Sequence, residues 1–255
     1  MKNLRKGKVV CITSGKGGVG KTVLTTNLAG IVESLGKKIL LIDLDLTNGG
    51  LGLILNTVYK KNICNMLYDI EHNTYNDFKD YVVSYDKYID LLPASTDPRD
   101  FNKVNNSLIN IILEKASFIY DVILIDMSHI LNEINVFALD FCDMALLVTT
   151  NCMMDLKNTA SLVTLFKNLN ISKYRILLNE CINPLKQYFS MYDIKSIIKA
   201  NIDYHLSTEF YMTDMDSMLM SGKIATLNGK MIKNFQNDYT ALLNLAADIV
   251  GGENE

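Results

Sequence analysis

The feature that most restricts this chain is an eight-residue run, Gly15-Lys16-Gly17-Gly18-Val19-Gly20-Lys21-Thr22, which satisfies the pattern G-x-x-x-x-G-K-[ST]. It follows an apolar, β-branched stretch at residues 9–13. It precedes a segment in which Leu24, Leu28, Ile31 and Leu35 recur at helical spacing. Strand, glycine-rich turn and helix in that order make a P-loop. Glycines permit the tight turn and aim successive backbone N–H groups inward, and the helix N-terminus adds a field that favours phosphate oxygens. Gly15, Gly17, Gly18, Val19, Gly20 and Val23 then form the cradle, Lys21 bridges the β- and γ-phosphates, and Thr22 ligates Mg²⁺.

The same alternation continues along the chain. Short apolar runs at residues 39–43, 88–92, 122–126, 145–149 and 175–179 fit buried strands. Longer stretches with helical spacing separate most of them, as with Leu108 and Ile112, or Leu156, Leu162 and Leu165. Strand alternating with helix predicts an α/β fold with a mostly parallel central sheet and helices on both faces. Two runs end in Asp43 and Asp126, so central strands deliver carboxylates to the carboxyl edge, where such sheets bind ligands. A final helix is expected over residues 232–250. With only three prolines and no linker-like or repeated tract, residues 1–255 read as one domain.

Composition narrows the function classes. The formal charge of -3 gives no global field to attract nucleic acid or an anionic membrane. The five cysteines, Cys11, Cys64, Cys142, Cys152 and Cys181, form no C-x-x-C pair, so reduced thiols and a cytoplasmic setting are expected. His72, His129 and His205 are scattered singly, and the methionines around 212–220 read as core or contact filler. The basic start lacks a secretory leader pattern, and no run of about 18 apolar residues spans a membrane.

The second lysine in the loop, Lys16, makes Lys16-Gly17-Gly18-Val19-Gly20-Lys21-Thr22 similar to the deviant Walker A motif of MinD/ParA ATPases. The resemblance implies an ATP-sandwich homodimer in which Lys16 reaches the phosphates held by the opposite subunit, as an arginine finger does. It also implies roles for Asp43-Leu44-Asp45. Asp45 would position the attacking water and Asp43 would support the Mg²⁺ shell, while Asp126 resembles a Walker B carboxylate that holds Mg²⁺ through water. Arg175-Ile176-Leu177-Leu178-Asn179 resembles the strand that ends in an adenine-contacting asparagine, although Glu180 stands where an arginine usually follows. Ser128 and Asn151-Cys152 replace prolines and a glutamate of the family pattern, and residues 206–214 match its later segment only loosely.

The middle segment points to a branch. Asp126-Met127-Ser128-His129, Ala138 to Asp143, Leu146 to Thr150 and Asp155-Leu156-Lys157-Asn158 resemble CpaE/TadZ pilus-assembly ATPases, which implies a protein partner at an envelope machine. Many of those proteins carry a receiver-like domain before the ATPase, which a P-loop starting at Gly15 does not lead one to expect. Asn158 falls where some relatives place a charged interface residue. A ParA-type partition ATPase, which binds DNA nonspecifically, would need a basic surface, and only the lysines at 195, 199, 223, 230 and 233 could supply one. A MinD-like division-site or flagellar-placement regulator would carry a basic amphipathic C-terminal helix, whereas the last ten residues are acidic. Iron–sulfur carriers need paired bridging cysteines, tyrosine kinases a terminal tyrosine cluster, and a non-hydrolysing module would not need Lys16, Asp45 and Asp126 together.

Overall fold

The computed structural model describes residues 6–100, 103–169, 171–180, 189–212 and 215–251. Cys181, residues 213–214 of the loosely matched segment and the last four residues of the acidic tail lie outside these. The strands are β1 (Lys8–Ser14), β2 (Ile39–Leu44), β3 (Val83–Ser84), β4 (Ile89–Leu92), β5 (Val122–Met127), β6 (Met144–Thr149), β7 (Tyr174–Asn179) and β8 (Tyr204–Leu206). Helices α1 (Lys21–Ser34), α2 (Leu51–Ile54), α3 (Ile63–Glu71), α4 (Asn106–Ser117), α5 (Glu133–Phe141) and α6 (Met153–Asn168) fall between them. Then come α7 (Met191–Ile198), α8 (Glu209–Met212), α9 (Met215–Met220), α10 (Gly229–Ile232) and α11 (Gln236–Gly251).

One eight-stranded sheet runs β3-β4-β2-β5-β1-β6-β7-β8, parallel throughout except for β3, which pairs antiparallel with β4. The expected α/β architecture is therefore present. All six anticipated strands form, because each is an apolar run buried on both faces. Alternation divides their side chains: Val10 and Ile12 of β1, Ile39 and Leu41 of β2, and Val122 and Leu124 of β5 pack with α1 and α11. Val9, Cys11, Leu40, Ile42, Ile123 and Ile125 face the opposite layer with α3, α4 and α5. A third apolar group joins β6 and β7 to α6 and α7 through Leu147, Ile176, Leu156 and Ile194.

Two elements escape the periodicity argument. β3 and β8 have two and three residues, too few for an alternating pattern to register. The expected helix over 232–250 divides, since α10 ends at Ile232 and α11 begins at Gln236. Phe235, fully buried, turns inward between them and meets Phe210 edge-on with centroids 5.4 Å apart. That inward turn is incompatible with an unbroken surface helix.

The amino edge of the sheet is fastened by aspartates. Asp121 accepts from the Lys38 N–H at 2.8 Å, Asp143 from the Val9 N–H at 2.8 Å and Asp203 from the Ile176 N–H at 2.7 Å. Each satisfies a donor at or near a strand start that the ladder leaves over. Among the described residues, no helix is long and apolar enough to cross a membrane.

Candidate phosphate-binding site

The carboxyl edge is built around the turn from β1 to α1. Gly18 and Gly20 adopt φ of 78° and 89°, which L side chains tolerate poorly, and Gly20 is the N-cap of α1. Among the described residues no side chain caps this helix N-terminus, the position that an anion takes over in P-loops. Gly15 is required for a different reason. A Cβ there would lie 2.7 Å from Cβ of Asn158, so only glycine lets α6 press this closely on the loop. Asn158 secures the contact by donating from Nδ2 to the Gly15 carbonyl at 2.9 Å. The residue that the sequence marks as an interface candidate thus has an internal partner.

Lys21 is buried, and its Nζ donates to Ser14 Oγ at 3.1 Å, while that hydroxyl donates to the Lys16 carbonyl at 2.7 Å. Burial pushes the Lys21 pKa down, and the charges of Asp126, Asp45 and Asp155 pull it back up. Lys16, Gly17 and Gly18 are exposed, Val19 is buried, and Thr22 and Val23 are half-buried at the start of α1. A Cβ on Gly17 would sit 3.5 Å from the His129 ring, which places the segment after β5 against the loop.

Asp43 and Asp126 are register partners on β2 and β5, so both carboxylates arrive at the same level and on the α1 face. Their surroundings differ. Asp43 accepts from the Leu51 N–H at 3.1 Å and from the Asp45 N–H at 3.2 Å, which braces the loop after β2. Burial first, and the nearby Asp126 charge second, raise its pKa well above the usual carboxylate range. Asp126 has both oxygens buried without a hydrogen-bond partner among the described residues. Burial pushes it up to about 6, and the Thr22 hydroxyl and Lys21 ammonium hold it lower than burial alone would. Asp45 is half-buried and turned onto its own loop, where Oδ1 accepts from Thr47 Oγ1 at 3.0 Å and the Asn48 N–H at 3.2 Å.

Burying an ionisable group without partners is costly, so the Asp126 oxygens beside Thr22 and Lys21 suit a divalent cation. Mg²⁺ is the cation that one or two protein oxygens hold with water and substrate phosphates completing the shell.

Asn179 is fully buried at the end of β7 and donates from Nδ2 to the Val19 carbonyl at 2.8 Å. The strand that carries it is thereby tied to the phosphate loop. Glu180 follows with its carboxylate 3.2 Å from His205 Nε2. The loop from Gly15 to Val23, Asp43, Asp45, Asp126 and Asn179 therefore lie on one edge of the sheet.

Two contributors are not assigned to the site by the sequence reading, although Asp155 is named there in the CpaE/TadZ-like segment. Ser14 is the last strand residue and carries no motif signature. Asp155, fully buried in the first turn of α6, accepts from the Thr150 N–H at 2.6 Å and leaves Oδ1 unpaired. An aspartate three residues into a helix reads as an ordinary dipole-favourable position, which conceals its place behind the loop.

Comparison with known proteins agrees with this geometry. The family described as an AAA domain matches residues 7–183. An uncharacterised ATP-binding protein of Methanocaldococcus jannaschii is 31% identical over 142 residues, 56% of this chain and 52% of that protein. The match thus spans about half the length of that relative. The septum site-determining protein MinD of Thermotoga maritima is 28% identical over 240 residues, 91% of this chain and 86% of that one. The structure of a ParA family ATPase from Chlorobium tepidum superposes with a TM-score of 0.78 at 19% identity, covering 94% of this chain and 98% of that one. That last likeness concerns the fold. With a family match over most of its length, the chain belongs to the family described as an AAA domain, and the P-loop edge described above is built within the matched residues.

Proposed function

We propose that this chain, read as one ATPase domain over residues 1–255, is a Mg²⁺-ATP-dependent dimerising switch that positions an envelope machine, in pilus assembly. The observation that carries the nucleotide part is the buried, unpaired Asp126 carboxylate beside Lys21 and Thr22 at the mouth of the glycine turn. In this reading the cradle, including Val19 and Val23, takes the phosphates, Thr22 and Asp126 hold Mg²⁺, and Asp43 supports that shell through the loop it braces. Asn179 contacts the base. Asp45 releases its loop contacts to position the attacking water, and hydrolysis to ADP and phosphate is slow.

The dimer part rests on Lys16, which is exposed at the top of the loop and free to complete a second copy's site. Ile130, Met153 and Met154 are 57%, 40% and 61% exposed on the segments flanking that loop, an apolar rim suited to a partner copy. The pilus-assembly role rests on the CpaE/TadZ-like residues between Asp126 and Asn158 and places the protein peripherally at the inner face of the membrane through a protein partner. The similarity to MinD favours a second reading, a division-site regulator. Nonspecific DNA partition is the third, less favoured because of the charge.

Light scattering tests the switch. The wild-type chain dimerises with ATP, Asp45→Ala stays dimeric because water is not positioned, and Lys16→Ala binds nucleotide yet remains monomeric. Equal monomer fractions in all three would sink the dimer reading. A gel shift with nonspecific duplex DNA and ATP at two salt concentrations separates the roles, since a strong, salt-sensitive shift lost in Lys16→Ala means partition.

A further inference from the structure

The first turn of α6 forms the wall behind the phosphate loop, and it carries more unspent polarity than a wall needs. Asp155 uses Oδ2 to accept from the Thr150 N–H at 2.6 Å and, more loosely, from Thr149 Oγ1 at 3.4 Å. Thr159 donates to Thr149 Oγ1 at 2.9 Å, which completes a buried chain of hydroxyls under the turn. Those contacts account for one carboxylate oxygen. Among the described residues Oδ1 is buried and has no partner, and Thr13 Oγ1 and Asn151 Oδ1, on β1 and on the segment after β6, are likewise unpaired. A neutral residue could cap this turn as well without placing a charge in the interior, so capping does not explain an aspartate.

The surroundings do. Asn158, one turn along the same helix, touches Gly15 at the distances given above, and the donors to Asp155, Thr149 and Thr150, directly follow Val148, the register partner of Ser14, so the carboxylate is held beside the strand end from which the loop with both lysines starts. Burial pushes the Asp155 pKa up, while its Thr150 and Thr149 donors and then the Lys16 charge hold it lower than burial alone would. The Lys21 pKa, pushed down by burial, is in turn drawn back up by the charge of Asp155, after those of Asp126 and Asp45. An anion fixed in a low-dielectric wall attracts the two lysines that the phosphates must also engage, and it repels the phosphates themselves.

We propose that Asp155 is a positioning residue of the phosphate site, whose buried carboxylate competes with nucleotide phosphates for Lys16 and Lys21 and so sets how fast nucleotide leaves. The proposal rests on the P-loop reading and adds to it a control on release. A switch that must reset after hydrolysis gains from such a counter-charge, because it weakens the hold on ADP while the loop geometry stays intact.

The test is the release rate of a fluorescent ADP analogue from full-length protein, followed by stopped flow after mixing with excess ADP. Asp155→Asn keeps an acceptor for the Thr150 N–H and removes the charge. Asp155→Ser removes the charge with a shorter side chain. Both should release the analogue roughly 3- to 10-fold more slowly than wild type, and the difference should shrink as salt rises. Asn158→Ala, which breaks the Gly15 contact without changing charge, serves as the control and should not slow release. A purely structural cap would speed release or leave it unchanged, and either result in folded Asp155 variants would overturn the proposal. Failure of both variants to fold would assign Asp155 to folding and overturn it too. Lys21→Ala distinguishes the deeper failure, since undiminished binding there would remove the phosphate site itself rather than the role of Asp155.

Discussion

The two edges of the sheet use aspartate in opposite ways. At the amino edge, Asp121, Asp143 and Asp203 each accept from a backbone N–H at 2.7–2.8 Å. Asp90, on β4, receives Ser84 Oγ at 2.5 Å and Tyr120 Oη at 2.8 Å with the Lys38 ammonium 3.6 Å away. At the carboxyl edge, Asp126 and Asp155 keep buried oxygens with nothing to accept among the described residues, and Thr13 and Asn151 add two more unpaired atoms. Native interiors rarely leave such groups unpaired. The amino edge is therefore finished as a structure, whereas the carboxyl edge is finished only by a ligand. The difference separates substitutions that cost stability from those that cost binding.

The largest expected effect is at the carboxyl edge. Lys21→Ala should weaken ATP binding about 100-fold or more in a calorimetric titration, because it deletes a charge-assisted contact to phosphate in a desolvated site. The same substitution removes a buried ammonium whose pKa is already pushed down by burial, so the melting temperature without nucleotide should hold or rise. A large fall in that temperature would mean that Lys21 is structural and would break the comparison.

Asp126→Asn should separate the two properties more sharply. The wild-type carboxyl is raised from 3.8 to about 6, so the folded state binds its proton more tightly than the unfolded state does. Stability contributed by that proton is lost as pH rises through this interval, and at neutral pH the ionised group is a net burden. The asparagine variant should therefore be more stable near neutral pH by about 1–3 kcal/mol, with a flatter pH profile between about 4 and 6. Its nucleotide binding should lose most of its dependence on added Mg²⁺. Chemical denaturation across pH, paired with titrations with and without Mg²⁺, gives both readouts. A variant destabilised at neutral pH would place Asp126 among the structural aspartates.

The carboxyl edge was the more legible of the two from sequence, and the reason is physical. A phosphate cradle needs glycines at fixed spacing along one stretch of chain, so Gly15 to Thr22 announce it locally. Apolar runs buried on both faces likewise carry their own signal, which is why six strands could be placed within a residue or two of their observed ends. What escaped depends on the approach of distant segments. Asn158 and Gly15 are 143 residues apart, and nothing in either neighbourhood says that they touch. Asp155 looks like a routine first-turn aspartate until the loop behind it is in place. The break before Gln236 depends on Phe235 meeting Phe210 in the interior, which periodicity within one helix does not encode.

At the amino edge the expected effects are smaller and concern stability alone. Asp143→Ala removes the acceptor for the Val9 N–H, at an edge where that donor opens β1. It should cost about 1 kcal/mol in denaturant unfolding, the usual net value of one such bond. ATP affinity should stay within error of wild type, since the substitution lies at the other end of β1 from the cradle. A change in affinity comparable to that of the carboxyl-edge variants would show that the two edges are coupled through β1.

The smallest effect comes from the residue that departs from the pattern. Glu33, in the last turn of α1, has a buried oxygen without a partner, although it lies toward the amino edge, away from the cradle. Its neighbour Asp86 is already engaged with the Tyr88 and Ile89 N–H groups at 2.8 Å each. Burial first, and the Asp86 charge second, raise the Glu33 pKa from 4.5 to about 7. The folded chain then holds this proton more tightly than the unfolded chain, so stability is greatest below the lower value and declines as pH rises toward the upper one. Glu33→Gln should remove that decline, giving a small gain in unfolding free energy at about pH 7.5 and almost none at about pH 5. ATP affinity should not change, because Lys21 and Glu33 occupy opposite ends of α1. An equal gain at both pH values would trace the cost to burying a polar side chain rather than to its ionisation. A gain confined to neutral pH would identify Glu33 and Asp86 as repelling carboxylates at an edge otherwise fastened by paired ones.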